Sequence, residues 1–217
     1  MLNSANTTPF HTFALVRGDI SDQIVNLLEE AHEGDDSDLL AFINSNPSLK
    51  QCLDEQECDL SNGRINCNKS DSTLLMVILT PLDANGERMR ILNDHNVRER
   101  LGRYPWGDGN PLSYLRTWSG NPIDYEENIM ILIDKLDEGL SEKIRDHDRF
   151  ENGSFGTLHG ILNTEETKTL EKLLSSGSFK VRADEPLDGG VADIMRNLQI
   201  VVRNAVRNRV GLLHYSH

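Results

Sequence analysis

The sequence contains no long apolar segment and no recognisable export signal. Its longest uninterrupted apolar run is the six residues from Leu74 to Leu79, far short of the roughly 20 that a membrane-spanning helix needs. The first eight residues carry neither the basic cluster nor the apolar stretch of a secretory signal peptide. We therefore expect a cytoplasmic protein that makes no contact with a membrane.

Cysteine is scarce as well. The 217 residues include three cysteines, Cys52, Cys58 and Cys67. An odd number leaves at least one thiol unpaired, and none of the spacings is the C-x-x-C pair that builds zinc sites. We expect reduced thiols, without a disulfide framework.

The signatures of the common cofactor and catalytic sites are missing. The chain has no phosphate-binding G-x-x-x-x-G-K-[ST], no G-x-G-x-x-G, no H-E-x-x-H and no G-x-S-x-G. The segment from Asp148 to His159 approximates a calcium-binding loop, but Phe150 stands at the third position, where an oxygen ligand is needed. The sequence therefore predicts no cofactor and no metal site.

The histidines show no metal-ligand spacing either. Two of them stand beside aspartates, in Asp94-His95 and Asp146-His147-Asp148. Neighbouring residues of a helix point in different directions, so these pairs do not make a site by themselves. We expect ordinary surface or capping roles for these two and for the scattered histidines at four other positions, which are His11, His159, His214 and His217.

The hydrophobic pattern predicts an α+β fold that is predominantly helical. We expect strands over residues 10–16, 179–183 and 212–217, and a hairpin over about 73–92 with Asn85-Gly86 at its turn. The resulting sheet is small and mainly antiparallel, and its two terminal strands are expected to pair. Because the elements show no repeated strand-helix-strand unit, a doubly wound sheet is disfavoured.

Capping residues mark where the helices begin. Ser21, Ser37 and Pro47 start three helices near the N-terminus, and the pairs Asn110-Pro111 and Asn121-Pro122 start two more. Further helices are expected over 94–101, 141–150, 163–177 and 191–206. No Pro, Gly or Ser linker divides the chain, so residues 1–217 are interpreted as one domain, with the acidic, aperiodic segment 54–72 as a possible loop insertion.

Acidic residues are concentrated in one quarter of the chain. The net charge is −13 overall, and residues 19–71 hold 13 acidic against three basic residues, a local charge of −10. Such a surface repels nucleic acid and attracts basic proteins. We therefore expect a basic protein partner and no direct contact with nucleic acid. The residues expected to bind that partner lie on the solvent side of the first helices and are Glu29, Glu30, Glu33, Asp35, Asp36 and Asp38.

The basic residues in the next part of the chain are all arginines. Residues 72–118 contain six arginines and no lysine. Guanidinium groups bind phosphate or carboxylate in a planar fork, and aromatic rings stack on a base or a sugar. This combination indicates a possible anion site with a general base, either Asp108 or His95. The candidate anion-binding residues are Arg98, Arg100, Arg103 and Trp106.

Two functional hypotheses follow from these patterns. The first is a non-enzymatic acidic interaction protein, in its most concrete form an inhibitor or immunity-type protein that occludes a basic toxin or nuclease. The alternative is a small hydrolase or transferase that binds a phosphorylated or nucleotide-like substrate at residues 98–108. The first needs no catalytic residue, and the second needs the arginines to converge on one cleft.

Overall fold

The computed structural model describes residues 8–55, 57–60, 71–82, 101–120, 124–145, 156–176 and 180–217. In these ranges the fold is α+β and mostly helical, with a small antiparallel sheet, as the sequence predicts. The strands are β1 (His11–Val16), β2 (Thr157–Leu162) and β3 (Gly211–Ser216). The helices are α1 (Ser21–His32), α2 (Ser37–Asn44), α3 (Pro47–Asp54), α4 (Asp71–Leu79), α5 (Pro111–Trp118), α6 (Asp124–Glu138), α7 (Glu142–Arg145), α8 (Thr164–Ser176) and α9 (Gly190–Asn208).

The sheet has the strand order β1-β3-β2, and both pairings are antiparallel. The expected pairing of the first and last strands is confirmed, with His11 opposite Ser216 and Val16 opposite Gly211. The central strand β3 is buried at every position. A strand with neighbours on both edges and helices on both faces reads as a nearly continuous apolar run, which explains the sequence Leu212-Leu213 at its start.

Helices cover both faces of the sheet. On one face Phe13, Leu15 and Leu212 pack with α5, α6, α8 and α9 in one buried cluster. On the other face Val16 and Leu213 pack with α1, α2, α3, α4 and α7 in a second cluster. Because successive side chains of a strand point to opposite faces, the alternation along β1 and β3 divides the core into these two clusters.

The expected strand over residues 73–79 is wrong, because these residues belong to helix α4. Its buried side chains are Leu74, Leu75, Ile78 and Leu79. They lie at i, i+1, i+4 and i+5, which is one face of a helix, whereas a strand would bury alternate residues. The remainder of the expected hairpin, residues 83–92, lies outside the described residues, as do most of the expected helix over 94–101 and most of the segment 54–72.

Two further expectations about strands need correction. In the expected strand over 179–183, the described residues form a single bridge, between Val181 and Ser119. Strand β2 was not predicted, because His159 and Gly160 interrupt the apolar sequence Thr157–Leu162 that would have indicated it.

Two of the capping predictions are confirmed. Asn110 caps α5, since its side-chain oxygen accepts hydrogen bonds from the backbone N–H groups of Leu112 and Ser113. Asn163 and Glu166 form a reciprocal capping box at α8, in which each side chain accepts a hydrogen bond from the backbone N–H of the other. The predicted caps Ser21 and Ser37 are wrong, because these serines are the first residues inside α1 and α2.

The cysteines depart from the expectation of reduced thiols. Cys58 is buried in the second core cluster and takes part in a disulfide bond, whereas Cys52 is a free thiol. Disulfides persist in oxidising compartments and are rare in the reducing cytosol.

Candidate metal centre

Three histidines that are distant in sequence meet on one face of the sheet. His11 comes from β1, His214 from β3 and His159 from β2. One ring nitrogen from each histidine lies within 4.8 Å of the other two. The expected surface or capping roles are wrong for these three histidines, which are at most 9% exposed and are brought together by the sheet.

The alternation of side chains along β1 and β3 places two of these rings. His11 shares its face with Phe13 and Leu15, and His214 shares it with Leu212, all three of them residues of the first core cluster. The register sets Phe13 opposite His214, and their rings stack at a centroid distance of 5.0 Å. The histidines therefore continue the apolar face of the sheet instead of pointing to solvent.

A bulge in β2 brings the third ring to the same face. Leu158 pairs with Tyr215 and Gly160 pairs with His214, so His159 is the extra residue between them. A bulge redirects the side chain of the extra residue. The His159 ring accordingly stacks on His214 at 4.4 Å and lies 5.2 Å from the His11 ring.

Gly160 allows helix α6 to contact this part of the sheet. A Cβ atom at position 160 would lie 2.0 Å from the Lys135 carbonyl oxygen and 2.6 Å from the Leu136 carbonyl. Only glycine permits that approach of two backbones. As a result, the C-terminal part of α6 lies against the histidine rings.

The second nitrogens of two rings have partners of their own. The His214 Nδ1 atom is 3.3 Å from the Leu136 carbonyl oxygen, and the His159 Nε2 atom is 2.8 Å from the Ser216 hydroxyl. A carbonyl oxygen can only accept, so Nδ1 of His214 carries the proton and its Nε2 carries the lone pair. That Nε2 atom lies 3.0 Å from the Nδ1 atom of His11.

Asp137 lies behind His214. Its side chain is 2% exposed, and its Oδ1 atom is 3.7 Å from His214 Nδ1. The same Oδ1 accepts a hydrogen bond of 2.7 Å from the Asn110 amide, and Oδ2 pairs with Arg116 at 3.1 Å. Burial raises the pKa of Asp137, and the hydrogen bonds from Asn110 and Arg116 offset part of that rise.

Burial keeps the three imidazoles neutral. Desolvation lowers the pKa of His11 and of His159 to about 4, against the opposing attraction of the Asp108 carboxylate on both. Burial, followed by repulsion from His159 and His11, also lowers the pKa of His214 well below its usual value. Neutral imidazole is the form that binds a metal ion.

This arrangement has the composition of a transition-metal site. Imidazole nitrogens are ligands for zinc, copper, iron and nickel, and three protein ligands with one open position are typical of catalytic zinc sites. Three nitrogens at about 2.05 Å from a tetrahedral ion would lie about 3.3 Å apart. The 3.0 Å between His11 Nδ1 and His214 Nε2 and the 4.8 Å limit for all three require only small movements of the rings to reach that geometry.

The predicted partner-binding acids all lie in the described part of the chain, around α1, α2 and their connection. Glu30, Glu33 and Asp38 are exposed, and Glu33 pairs with Lys143 of α7 at 3.0 Å. The exposed Asp35 accepts hydrogen bonds from the backbone N–H and the hydroxyl of Ser37 at the start of α2, which lower its pKa. Part of this acidic surface therefore stabilises local structure.

The arginine segment is described in part. Arg98, Arg100 and His95 lie outside the described residues. The Arg103 guanidinium donates to the Thr8 carbonyl oxygen at 2.7 Å and lies over the Phe10 ring. The described part of the segment therefore shows this guanidinium engaged within the chain.

The rest of that segment packs against α5. Trp106, which is 41% exposed, contacts the rings of Tyr114 and Trp118 edge-on, as expected of a turn that covers aromatic core residues. The exposed Asp108 accepts a hydrogen bond from the Asn110 backbone N–H. Its charge acts on His11 and His159, so this predicted acid-base residue stands near the histidine cluster.

Neither the described helices nor similarity to known proteins assigns a function to the chain. Among the described helices, none combines the length with the apolar composition that crossing a bilayer requires. No protein-family model, no curated protein and no solved structure matches the chain.

Proposed function

We propose that His11, His159 and His214 bind one divalent transition-metal ion of the zinc type, and that the protein is a metal-dependent hydrolase. The observation that carries this proposal is the convergence of one nitrogen from each ring within 4.8 Å. A zinc-type ion with three histidine ligands keeps a position for water and lowers the pKa of that water to about 7.

The surroundings of the three rings favour a cation over an empty polar cavity. The three histidines are at most 9% exposed. An ion would take the place of the hydrogen atom in the 3.0 Å contact between His11 Nδ1 and His214 Nε2. Three carboxylates act on these rings, namely Asp108 in the segment before α5 and Asp137 and Glu138 at the end of α6. Negative charge around a partly dehydrated dication compensates for its lost hydration.

The residues around the three rings have defined roles in this proposal. The Leu136 carbonyl fixes the tautomer of His214, and the Ser216 hydroxyl holds the Nε2 atom of His159. With Nε2–H donating to Ser216, His159 offers its Nδ1 atom to the ion. Asp108 is an exposed carboxylate whose charge acts on both His11 and His159. It is the candidate to accept a proton from the attacking water.

Metal binding is tested first. Tag-free protein is stripped with a chelator and titrated with Zn²⁺ by calorimetry and with Co²⁺ by visible absorption. We expect one equivalent to bind, and we expect His11→Asn, His159→Gln and His214→Gln each to abolish it. His217→Gln, which changes an exposed histidine outside the cluster, is the matched control. A folded wild-type protein without stoichiometric binding overturns the proposal, as does binding that survives all three substitutions.

Hydrolysis is tested separately on the Zn²⁺-loaded protein. The probes are p-nitrophenyl acetate and p-nitrophenyl phosphate, which report ester and phosphoester cleavage. We expect turnover that is lost in His159→Gln and reduced in Asp108→Asn. Stoichiometric metal binding together with rates equal to those of the His159→Gln protein would refute the hydrolase and leave the metal centre.

The acidic docking hypothesis stays a prediction from the sequence. Its proposed form is an inhibitor or immunity-type protein that binds a basic partner through the α1–α2 acids, in the cytoplasm. Reversing Glu29, Glu30, Glu33 and Asp36 to lysine is expected to abolish binding to such a partner and to leave Zn²⁺ binding unchanged. The Cys58 disulfide argues for an oxidising compartment, and thiol labelling of protein freshly extracted from its native cells distinguishes the two locations.

A further inference from the structure

We propose that Asp137 is a positioning residue of the histidine centre, which orients His214 and compensates for the charge of the bound ion. This inference rests on the metal centre proposed above. The inference goes beyond the metal centre by assigning a role to a buried carboxylate that touches none of the three expected ligand atoms.

Asp137 occupies a position in which a carboxylate is energetically unfavourable, because the site is buried. The residue is 1% exposed, and a buried carboxylate destabilises a fold unless donors satisfy its oxygens. Two side chains from α5 and its cap provide these donors, Asn110 at 2.7 Å and Arg116 at 3.1 Å. The chain thus uses two polar residues to keep one carboxylate next to a histidine.

The geometry directs this carboxylate to the far side of the His214 ring. The Nδ1–H group of His214 donates to the Leu136 carbonyl at 3.3 Å, and Asp137 Oδ1 lies 3.7 Å from the same nitrogen, beyond a hydrogen bond but close enough to act through its charge. A metal-binding histidine commonly donates its other N–H group to a carbonyl or a carboxylate, which fixes the ring and makes the ligand nitrogen more basic. With the carbonyl and the carboxylate both on the Nδ1 side, the Nε2 atom is directed to the centre.

The charge balance behind His214 is also unusual. The single Arg116 guanidinium pairs with Asp134, Asp137 and Glu138 at 2.9, 3.1 and 2.8 Å. Three carboxyl groups therefore pair with this guanidinium, and the buried one of the three is the one that adjoins the histidine. Arg145 of α7 adds a second positive charge, which acts on Glu138, His159 and His214. An ion bound by neutral imidazoles would supply positive charge close to this excess of carboxylate.

The test is Asp137→Asn, with Asp134→Asn as its matched control. Asparagine keeps the shape and the Oδ1 acceptor of Asp137 and removes its charge. Asp134 pairs with the same guanidinium, but its side chain is 54% exposed. We expect Co²⁺ affinity to fall about 10- to 100-fold in Asp137→Asn, the range typical of such outer partners, and to stay within about twofold of wild type in Asp134→Asn.

A second readout separates positioning from simple loss of stability. The ¹⁵N chemical shifts of the His214 ring report which nitrogen carries the proton. We expect the Nδ1–H form in both proteins, because the Leu136 carbonyl is retained, and an Nδ1–H proton signal that moves upfield in Asp137→Asn, where the neighbouring charge is lost, at unchanged circular dichroism. If Asp137→Asn does not fold, Asn110→Ser takes its place, because a serine oxygen can still cap α5 while the amide donor to Asp137 is lost.

The outcomes distinguish the two proposals. Wild-type protein that binds no metal refutes the centre itself. Wild-type protein that binds Co²⁺ with the same affinity as folded Asp137→Asn refutes the positioning role and leaves the centre in place. Equal losses in Asp137→Asn and Asp134→Asn also refute it, because they would assign the effect to the Arg116 pairing that both share.

Discussion

The metal-free protein is expected to lose stability steeply as the pH falls below about 6.5. His11 and His159 have folded-state pKa values of about 4 against 6.5 in the unfolded chain, and burial also lowers the pKa of His214 well below its usual value. Between these values the unfolded state binds protons that the folded state does not. Stability therefore decreases as the pH decreases, and the window is from about 6.5 down to about 4.

The size of the effect follows from linkage. A histidine that binds a proton only in the unfolded state lowers the free energy of unfolding by about 1.4 kcal/mol between pH 7.5 and 5.5. For the three clustered histidines the loss is about 4 kcal/mol. A typical domain has a total stability of about 5 to 15 kcal/mol, so the loss is a large part of the total.

The assay is urea unfolding at pH values from 8 to 5 with EDTA present, followed by circular dichroism. The quantity compared is the slope of the unfolding free energy against pH, which is independent of any constant cost of a substitution. His159→Gln should reduce that slope by about one third, and His217→Gln should leave it unchanged. A wild-type stability that is flat between pH 7.5 and 5.5, or equal slopes in all three proteins, would show that these rings are not desolvated as the structure has them.

Three further predictions test the fold by urea unfolding. Gly160→Ala should prevent α6 from packing on β2, because the new Cβ would lie 2.0 Å from the Lys135 carbonyl oxygen; an unchanged midpoint would contradict this approach. Asn163→Ala should cost about 1 kcal/mol through loss of the α8 cap, and full stability would speak against the capping box. Leu75→Ala should cost about 2 to 5 kcal/mol and Val77→Ala clearly less, since Leu75 is fully buried and Val77 is not; equal costs would favour a strand, in which residues 75 and 77 share a face.

Local signals predicted the helices well because each depends on nearby residues. Asn110 and Pro111 fix the start of α5 through hydrogen bonds to residues two and three positions on. The strand prediction for the residues of α4 was wrong because the apolar run offers no such local signal. Six consecutive apolar residues carry no periodicity, so the run does not distinguish a helix with one buried face from a buried strand.

Strand β2 was not predicted, because the features that bring His159 to the histidine cluster also remove the sequence pattern of a strand. Gly160 is poor in strands, yet α6 requires glycine there for close packing. His159 breaks the alternation because it is the extra residue of a bulge. A local rule that rejects glycine and irregular alternation therefore rejects the segment that delivers the third histidine.

The histidine centre lies at the limit of what a single sequence can indicate. His11 and His214 are 203 residues apart, but each stands two positions from an apolar residue of its strand, Phe13 and Leu212, and so on the core-facing side. The predicted pairing of the first and last strands brings these strands together, and the register with Phe13 opposite His214 then makes the two histidines diagonal neighbours. A histidine at a core-facing position must find a polar partner or a metal ion, since burying an unpaired polar group costs about 1 to 3 kcal/mol. Two of the three ligands could therefore have been inferred as a buried pair, and only the bulge in β2, which no local pattern reveals, turns that pair into a three-nitrogen site.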